Sequence, residues 1–66
     1  MPKYKIEDIN IGDEITYSNI YMKGGYSTGI VTGKPDHDLL SIENTDNPVH
    51  IHRFVETSYV LTIKRE

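Results

Sequence analysis

Two histidines carry the clearest chemical pattern in this sequence. His50 and His52 lie two residues apart in a segment that alternates polar and apolar residues, so on a strand both imidazoles would point to one face. Such a pair could bind one metal ion if a third ligand came close, and residues 36–38 supply the nearest candidates in the sequence. The simpler interpretation is a solvated or partner-contacting surface that titrates at about pH 6.5. We therefore expect no metal ion and no cofactor.

Tyrosine is the second candidate, because the chain has five tyrosines, one phenylalanine and no tryptophan. Three of them flank the glycine-rich segment 23–25, which is expected to be a loop tip. Tyrosine offers a large contact area at low cost in conformational entropy, which suits protein interfaces. We therefore predict a protein-binding surface, which would consist of Tyr17, Tyr21, Tyr26, His50, His52 and Arg53.

No pattern for catalysis stands out. The chain has no cysteine, which excludes a thiolate nucleophile, a disulfide framework and a cysteine-based zinc site. Residues 23–26 lack the spacing of a phosphate-binding loop and the helix that would follow it. Asp36-His37-Asp38 follows Pro35 and is typical of a polar turn. Since no serine or threonine has the helix elbow or the adjacent base that would mark a nucleophile, we expect a protein without catalytic activity.

Short strands separated by turn residues make up most of the sequence, and no segment has the apolar spacing of a helix. The pattern predicts five strands, over residues 14–21, 26–33, 39–44, 49–52 and 59–63. Residues 53–58 are predicted to form one tight turn, of the 3₁₀ type. An open sheet of this size would leave two long edges unpaired. We therefore expect an all-β fold in which the sheet curls into a small five-stranded barrel.

Alternation along these strands predicts which side chains are buried. The expected core comprises Ile11, Ile15, Val31, Leu40, Ile42, Val49, Ile51, Phe54, Leu61 and Ile63. The expected outward-facing residues are Thr16, Ser41, Glu43, His50 and His52. Ile30 and Val60 break the alternation, so we expect each to lie under a loop or in a subunit contact.

Size and charge narrow the classes of function. A chain of 66 residues is expected to form one domain, spanning residues 1–66. The formal net charge of −3, with scattered lysines and arginines, disfavours binding to a phosphate backbone. No segment has the ~20 apolar residues that cross a bilayer, and the N-terminal segment lacks the apolar core of a secretory signal. Together with the absence of cysteine, these features favour a cytoplasmic protein.

The order of the predicted elements resembles that of the SH3-like small barrel. A turn at Gly12-Asp13 leads into the first strand, a long glycine-containing loop follows, and two hairpins and one helical turn precede the last strand. This resemblance implies a five-stranded SH3-like barrel with one 3₁₀ turn before its last strand. In SH3 domains, aromatic residues along the first loop bind proline-rich peptides. A stand-alone barrel of this size is typical of phage, plasmid or other accessory genes, and another protein is its expected partner.

Two other resemblances leave alternatives open. The stretch from Gly29 to Asn44 resembles Sm-like proteins, which implies an oligomeric RNA-binding barrel. The segment 49–52, Val-His-Ile-His, occupies a place comparable to the active-site Val-Gln-Ile-Tyr of plasmid-type dihydrofolate reductases. That resemblance implies a small oligomeric enzyme, although histidine replaces both functional side chains of the motif.

Overall fold

Five antiparallel strands form one sheet in the computed structural model, which describes residues 4–47 and 51–64. The strands are β1 (Glu14–Ser18), β2 (Tyr26–Asp36), β3 (Leu39–Asn44), β4 (Phe54–Glu56) and β5 (Val60–Lys64). Two 3₁₀ turns, Ile6–Asp8 and Thr57–Tyr59, are the only helical elements in this part of the chain. The all-β class and the 3₁₀ turn before the last strand are therefore confirmed. Neither turn approaches the length of a helix that could cross a membrane, and the described residues contain no such helix.

The strands lie in the order β4-β3-β2-β1-β5. No pairing joins the edge strands β4 and β5 within the described ranges, so closure into a barrel stays a prediction. β2 is the longest strand and belongs to both halves of the sheet, because residues 26–30 pair with β1 and residues 29–36 pair with β3. Its register with β3 shifts on both sides of Gly33, which is how a strand bends from one half of a sheet to the other.

A tight turn sets the start of β1. Gly12 has a φ of +97°, a conformation that glycine adopts without steric cost. The Asp13 carboxylate accepts a hydrogen bond from the Asn10 backbone N–H at 2.8 Å. The Asp13 carbonyl accepts another from the Val31 N–H at 2.9 Å. The predicted turn at Gly12-Asp13 is thus present, and it anchors β1 to the middle of β2.

The core only partly follows the predicted alternation. The buried apolar side chains are Ile9, Ile15, Tyr17, Val31, Leu40, Ile42, Val55 and Val60. Of the predicted core residues, Ile15, Val31, Leu40 and Ile42 are buried, and Ile63 packs against them half-buried. The predictions for Ile11, Ile51, Phe54 and Leu61 are wrong, since all four are exposed. Val49 lies outside the described residues.

A β-bulge explains the error in the last strand. Thr16 pairs with Thr62, but the next residue of β1, Tyr17, pairs with Val60. Leu61 is therefore the extra residue of the bulge, and the alternation resets at this point. Val60 and Ile63 both face the core, while Leu61 points outward and is 42% exposed.

The fourth strand lies later in the sequence than predicted. Residues 51 and 52 are not in a strand, and residues 49 and 50 lie outside the described part. β4 instead comprises residues 54–56, where one tight turn is predicted, and Val55 pairs with Leu40 of β3. Val55 rather than Phe54 is consequently the buried residue of this strand.

The bounds of the first three strands can be compared with the prediction in the same way. β1 ends three residues earlier and β2 ends three residues later than predicted, whereas β3 has the predicted bounds.

Candidate functional site

An open groove of about 290 Å³ lies beside β4 and the second 3₁₀ turn. Phe54 and Tyr59 are its most exposed aromatic side chains, at 55% and 52% of their full accessibility. We call this feature the aromatic groove; its lining residues are Tyr17, Ser18, Leu39, His52, Phe54, Val55, Glu56 and Tyr59. Exposed aromatic rings that line a cleft together with a few polar groups are typical of sites that bind small molecules or peptides.

Backbone hydrogen bonds hold the segment that carries these rings. The Ile42 N–H donates to the Arg53 carbonyl at 2.9 Å, and the Thr57 N–H donates to the Asp38 carbonyl at 2.9 Å. These two bonds tie both ends of β4 to β3 and the turn before it. Because residues of a strand alternate in direction, Phe54 and Glu56 both point outward from β4 while Val55 is buried. Both ring-bearing residues therefore belong to a segment fixed in position before any ligand arrives.

A polar network lies under the groove. The Asn44 Nδ2 donates to the Tyr17 hydroxyl at 2.5 Å and to the Thr28 carbonyl at 3.2 Å. The Asn44 Oδ1 accepts from the His52 backbone N–H at 2.7 Å. The Tyr17 hydroxyl also lies 3.2 Å from the His52 Nδ1, and the two rings meet edge to face at 5.4 Å. The Tyr17–Asn44–His52 network thus fixes one wall of the groove to the core.

The structure separates the predicted site residues. Tyr17 is only 1% exposed and lies in the core, not on the predicted loop surface, because β1 turns its side chain inward. Tyr21 and Tyr26 are 59% and 53% exposed. His52 is half-buried and lines the aromatic groove. Arg53 is exposed beside β4.

His50 lies outside the described residues, so the pairing of its side chain with that of His52 stays a prediction. The Nδ1 of His52 faces Tyr17 and not residues 36–38, whose ligand atoms form a separate cluster.

Tyr26 is paired with a residue that lines the groove. Its Cα is paired with that of Ser18, and side chains directly opposite each other on antiparallel strands share a face. Ser18 lines the groove. The exposed side chain of Tyr26 therefore lies on the same face of the sheet as Ser18, although it does not line the groove itself.

Sequence reasoning missed six lining residues, namely Ser18, Leu39, Phe54, Val55, Glu56 and Tyr59. Phe54 was expected in the core, because a large apolar residue after an alternating segment favours burial. The signal for β4 in the sequence is weak, because Phe54-Val55-Glu56 is a run of two apolar residues and one polar residue, without alternation. That run is too brief to outweigh the longer alternation at residues 49–52.

A second concavity, of about 510 Å³, is larger than the aromatic groove but offers fewer kinds of side chain for contact with a ligand. It lies between the turn at residues 10–13 and the ends of β1 and β5, and no aromatic side chain lines it. Glu14 and Lys64, paired across β1 and β5, supply charges of opposite sign. We therefore take the aromatic groove, and not the larger concavity, as the candidate site.

The turn between β2 and β3 holds a separate cluster of polar groups. The ligand atoms of Asp36, His37 and Asp38 all lie within 4.8 Å of one another, and all three residues are exposed. The Asp36 carboxylate accepts from the His37 backbone N–H at 2.7 Å and lies 2.8 Å from the His37 Nδ1. These bonds account for the turn itself, as the polar-turn interpretation predicts.

We expect an NMR titration to show a raised pKa for His37. The hydrogen bond that the protonated His37 Nδ1 donates to the Asp36 carboxylate raises the pKa of His37 most, and the charges of Asp38 and Asp36 add to it. Because this pKa is higher in the folded than in the unfolded protein, the stabilisation is complete below the unfolded pKa. It is lost as the pH rises through the folded one. Asp36→Asn should lower the pKa of His37 towards about 6.5, and Asp38→Asn should lower it less. Equal pKa values for His37 in the native protein and in the two variants would show that these carboxylates do not raise it.

Comparisons with protein-family models, with curated proteins and with solved structures found no match for this chain.

Proposed function

We propose that this protein is a non-catalytic binding module that takes an extended segment of another protein in the aromatic groove. The observation that carries the proposal is the placement of Phe54 and Tyr59. Both rings are about half-exposed, yet both belong to a segment that is tied to the sheet. Exposed aromatic anchors on a rigid support are the residues that dominate the binding energy of interfaces. Their fixed backbone also reduces the entropy lost on binding.

The shape of the groove favours an extended peptide over a compact ligand. Its volume of about 290 Å³ suits a few side chains of a partner, and its open form suits a chain that passes through. A segment already in the polyproline II conformation loses little entropy on docking against aromatic rings. A proline-containing segment is therefore the proposed ligand. Glu56 in the groove and the net charge of −3 favour a basic residue near those prolines.

Two features support placing the chain among SH3-like barrels, which remains part of the proposal. A 3₁₀ turn precedes the last strand, and β1 lies between β2 and β5.

The cytoplasm is the proposed location of the protein. A protein without cysteine suits a reducing compartment.

Heteronuclear NMR with the labelled full-length protein tests the proposal. Synthetic peptides, proline-rich and proline-free, each with and without lysine or arginine, are titrated into the protein. We expect a proline-rich basic peptide to shift the signals of Leu39, His52 and residues 54–59. Phe54→Ala and Tyr59→Ala should each weaken binding about tenfold or more. Ile11→Ala, at a residue that is 66% exposed in the other concavity, is the matched control and should leave binding unchanged.

Two outcomes would overturn the proposal. One is that no peptide of the panel shifts the groove signals. The other is that oligouridylate shifts them with an affinity that falls steeply with salt, which is the behaviour of a nucleic-acid-binding surface. The negative charge of the chain makes us expect no such binding.

A further inference from the structure

The hydrogen bonds of Asn44 fix the direction of the whole polar network. Its Oδ1 faces a backbone N–H, that of His52, and its Nδ2 faces a carbonyl, that of Thr28. Turning the amide over would set donor against donor and acceptor against acceptor, so the orientation is unambiguous. The Asn44 Nδ2 can only donate, and the Tyr17 hydroxyl oxygen at 2.5 Å must accept.

The Tyr17 proton then has one acceptor among the described residues, the His52 Nδ1 at 3.2 Å. An imidazole nitrogen that accepts a hydrogen bond carries no proton, so the proton of neutral His52 is on Nε2. The network runs in one direction, from the Asn44 amide through the Tyr17 hydroxyl to the imidazole. No other side-chain hydrogen bond of His52 occurs within residues 4–47 and 51–64.

We propose that the His52 Nε2–H is the hydrogen-bond donor of the aromatic groove, and that it binds a carbonyl oxygen of the peptide that occupies the groove. This inference rests on the proposed function. His52 is half-buried and lines the groove together with Phe54 and Glu56, while its Nδ1 edge is turned towards Tyr17. The opposite nitrogen is thus left for a ligand.

The surrounding groups select a neutral acceptor over an anion. The Glu56 carboxylate lines the same groove and repels a carboxylate or a phosphate. A peptide carbonyl has no charge and is present in every residue, proline included. A proline-rich segment lacks many backbone N–H donors but keeps all of its carbonyls, which suits the N–H donor that His52 offers. His52 therefore sets the register of the bound chain, while Phe54 and Tyr59 supply contact area.

The first test needs no ligand. Long-range proton–nitrogen correlation NMR of the free protein, at a pH where the spectrum itself shows His52 to be neutral, reports which nitrogen carries the proton. We expect His52 to be the Nε2–H tautomer in the native protein and to lose part of that preference in Tyr17→Phe. An Nδ1–H tautomer in the native protein would overturn the inference, whatever the outcome of the peptide titration.

The second test uses the tightest-binding peptide of the panel. His52→Phe keeps a ring but removes the donor, and it should weaken binding about tenfold. His52→Gln places an amide N–H near the position of Nε2 and should bind within about threefold of the native protein. If His52→Phe binds as tightly as the native protein while Phe54→Ala does not, the donor role is wrong and the binding function stands. If His52→Phe does not fold, the comparison of His52→Gln with His52→Asn, whose shorter amide cannot reach that position, decides the question.

Discussion

Replacing Asn44 by alanine is expected to lower the free energy of unfolding by about 3 kcal/mol. The side chain makes three hydrogen bonds, to the Tyr17 hydroxyl, the Thr28 carbonyl and the His52 N–H. The Thr28 carbonyl keeps a second partner, the Thr45 N–H at 3.1 Å. The His52 N–H and the buried Tyr17 hydroxyl each lose a partner. An unsatisfied polar group in a poorly hydrated place costs about 1–3 kcal/mol.

Thermal and urea unfolding measure this effect. For a domain of this size, a loss of 3 kcal/mol corresponds to a fall in Tm of more than about 10 °C. The matched control is Thr45→Ala at the adjacent position, which removes an exposed hydrogen bond between the Thr45 and Thr28 hydroxyls. Thr45→Ala should lower the free energy of unfolding by less than about 0.5 kcal/mol. Similar losses for the two variants would show that the network contributes no more than a surface contact.

Asn44 also links the stability of the sheet to the candidate site. It ends β3, and its amide holds the backbone of His52, eight residues later. Without that bond the backbone of His52 loses its link to β3, and the next backbone hydrogen bond of the described residues is that of the Arg53 carbonyl. We therefore expect Asn44→Ala to weaken peptide binding even at temperatures where the protein stays folded.

The local sequence pattern predicts the bounds and the buried side chains of a strand correctly where that strand is regular. The bounds of β3 follow from its alternation and its flanking turns, and so does the burial of Leu40 and Ile42. The bulge at Leu61 could not be predicted in the same way. It depends on how β5 pairs with β1, and nothing in the residue types near Leu61 indicates an extra residue.

The fourth strand shows how tertiary pairing overrides local pattern. The segment 49–52 alternates more clearly than the segment 54–56, so sequence reasoning favours it. β3 nevertheless pairs with residues 54–56, which brings Val55 opposite the buried Leu40. A three-residue strand has little propensity of its own, and the side chains that it buries decide its position.

Of the residues that line the candidate site, Tyr17 and His52 are predicted from the sequence, and its geometry is not. Tyrosine and His52 were expected in a binding surface, and His52 does line the aromatic groove. The partners of the Tyr17 hydroxyl lie 27 and 35 residues away in the sequence, and no local spacing connects them. The exposure of Phe54 follows from the position of β4. Because the fourth strand is predicted at residues 49–52, Phe54 is assigned to the core and not to the site.

Leu40→Ala and Leu61→Ala form a matched pair that tests the corrected core. Both leucines are expected in the core from alternation, yet Leu40 is fully buried and Leu61 is 42% exposed. Leu40→Ala removes buried side-chain atoms and leaves a cavity, so it should lower the free energy of unfolding by about 2–5 kcal/mol. Leu61→Ala should cost about 1 kcal/mol or less. A domain this small has only about 3–5 kcal/mol of stability to lose, so Leu40→Ala should be close to half unfolded in the absence of urea.

Urea unfolding of both variants, followed at two protein concentrations, gives the measurement. A large difference between them at either concentration supports the bulge and the outward direction of Leu61. A loss for Leu61→Ala that equals that of Leu40→Ala and shrinks when the protein is diluted would mean that a second copy of the chain covers Leu61, since stabilisation by association falls with concentration. Equal losses at both concentrations would place Leu61 inside the folded chain. The register between β1 and β5 would then be wrong, because Leu61 is exposed only if Tyr17 is paired with Val60.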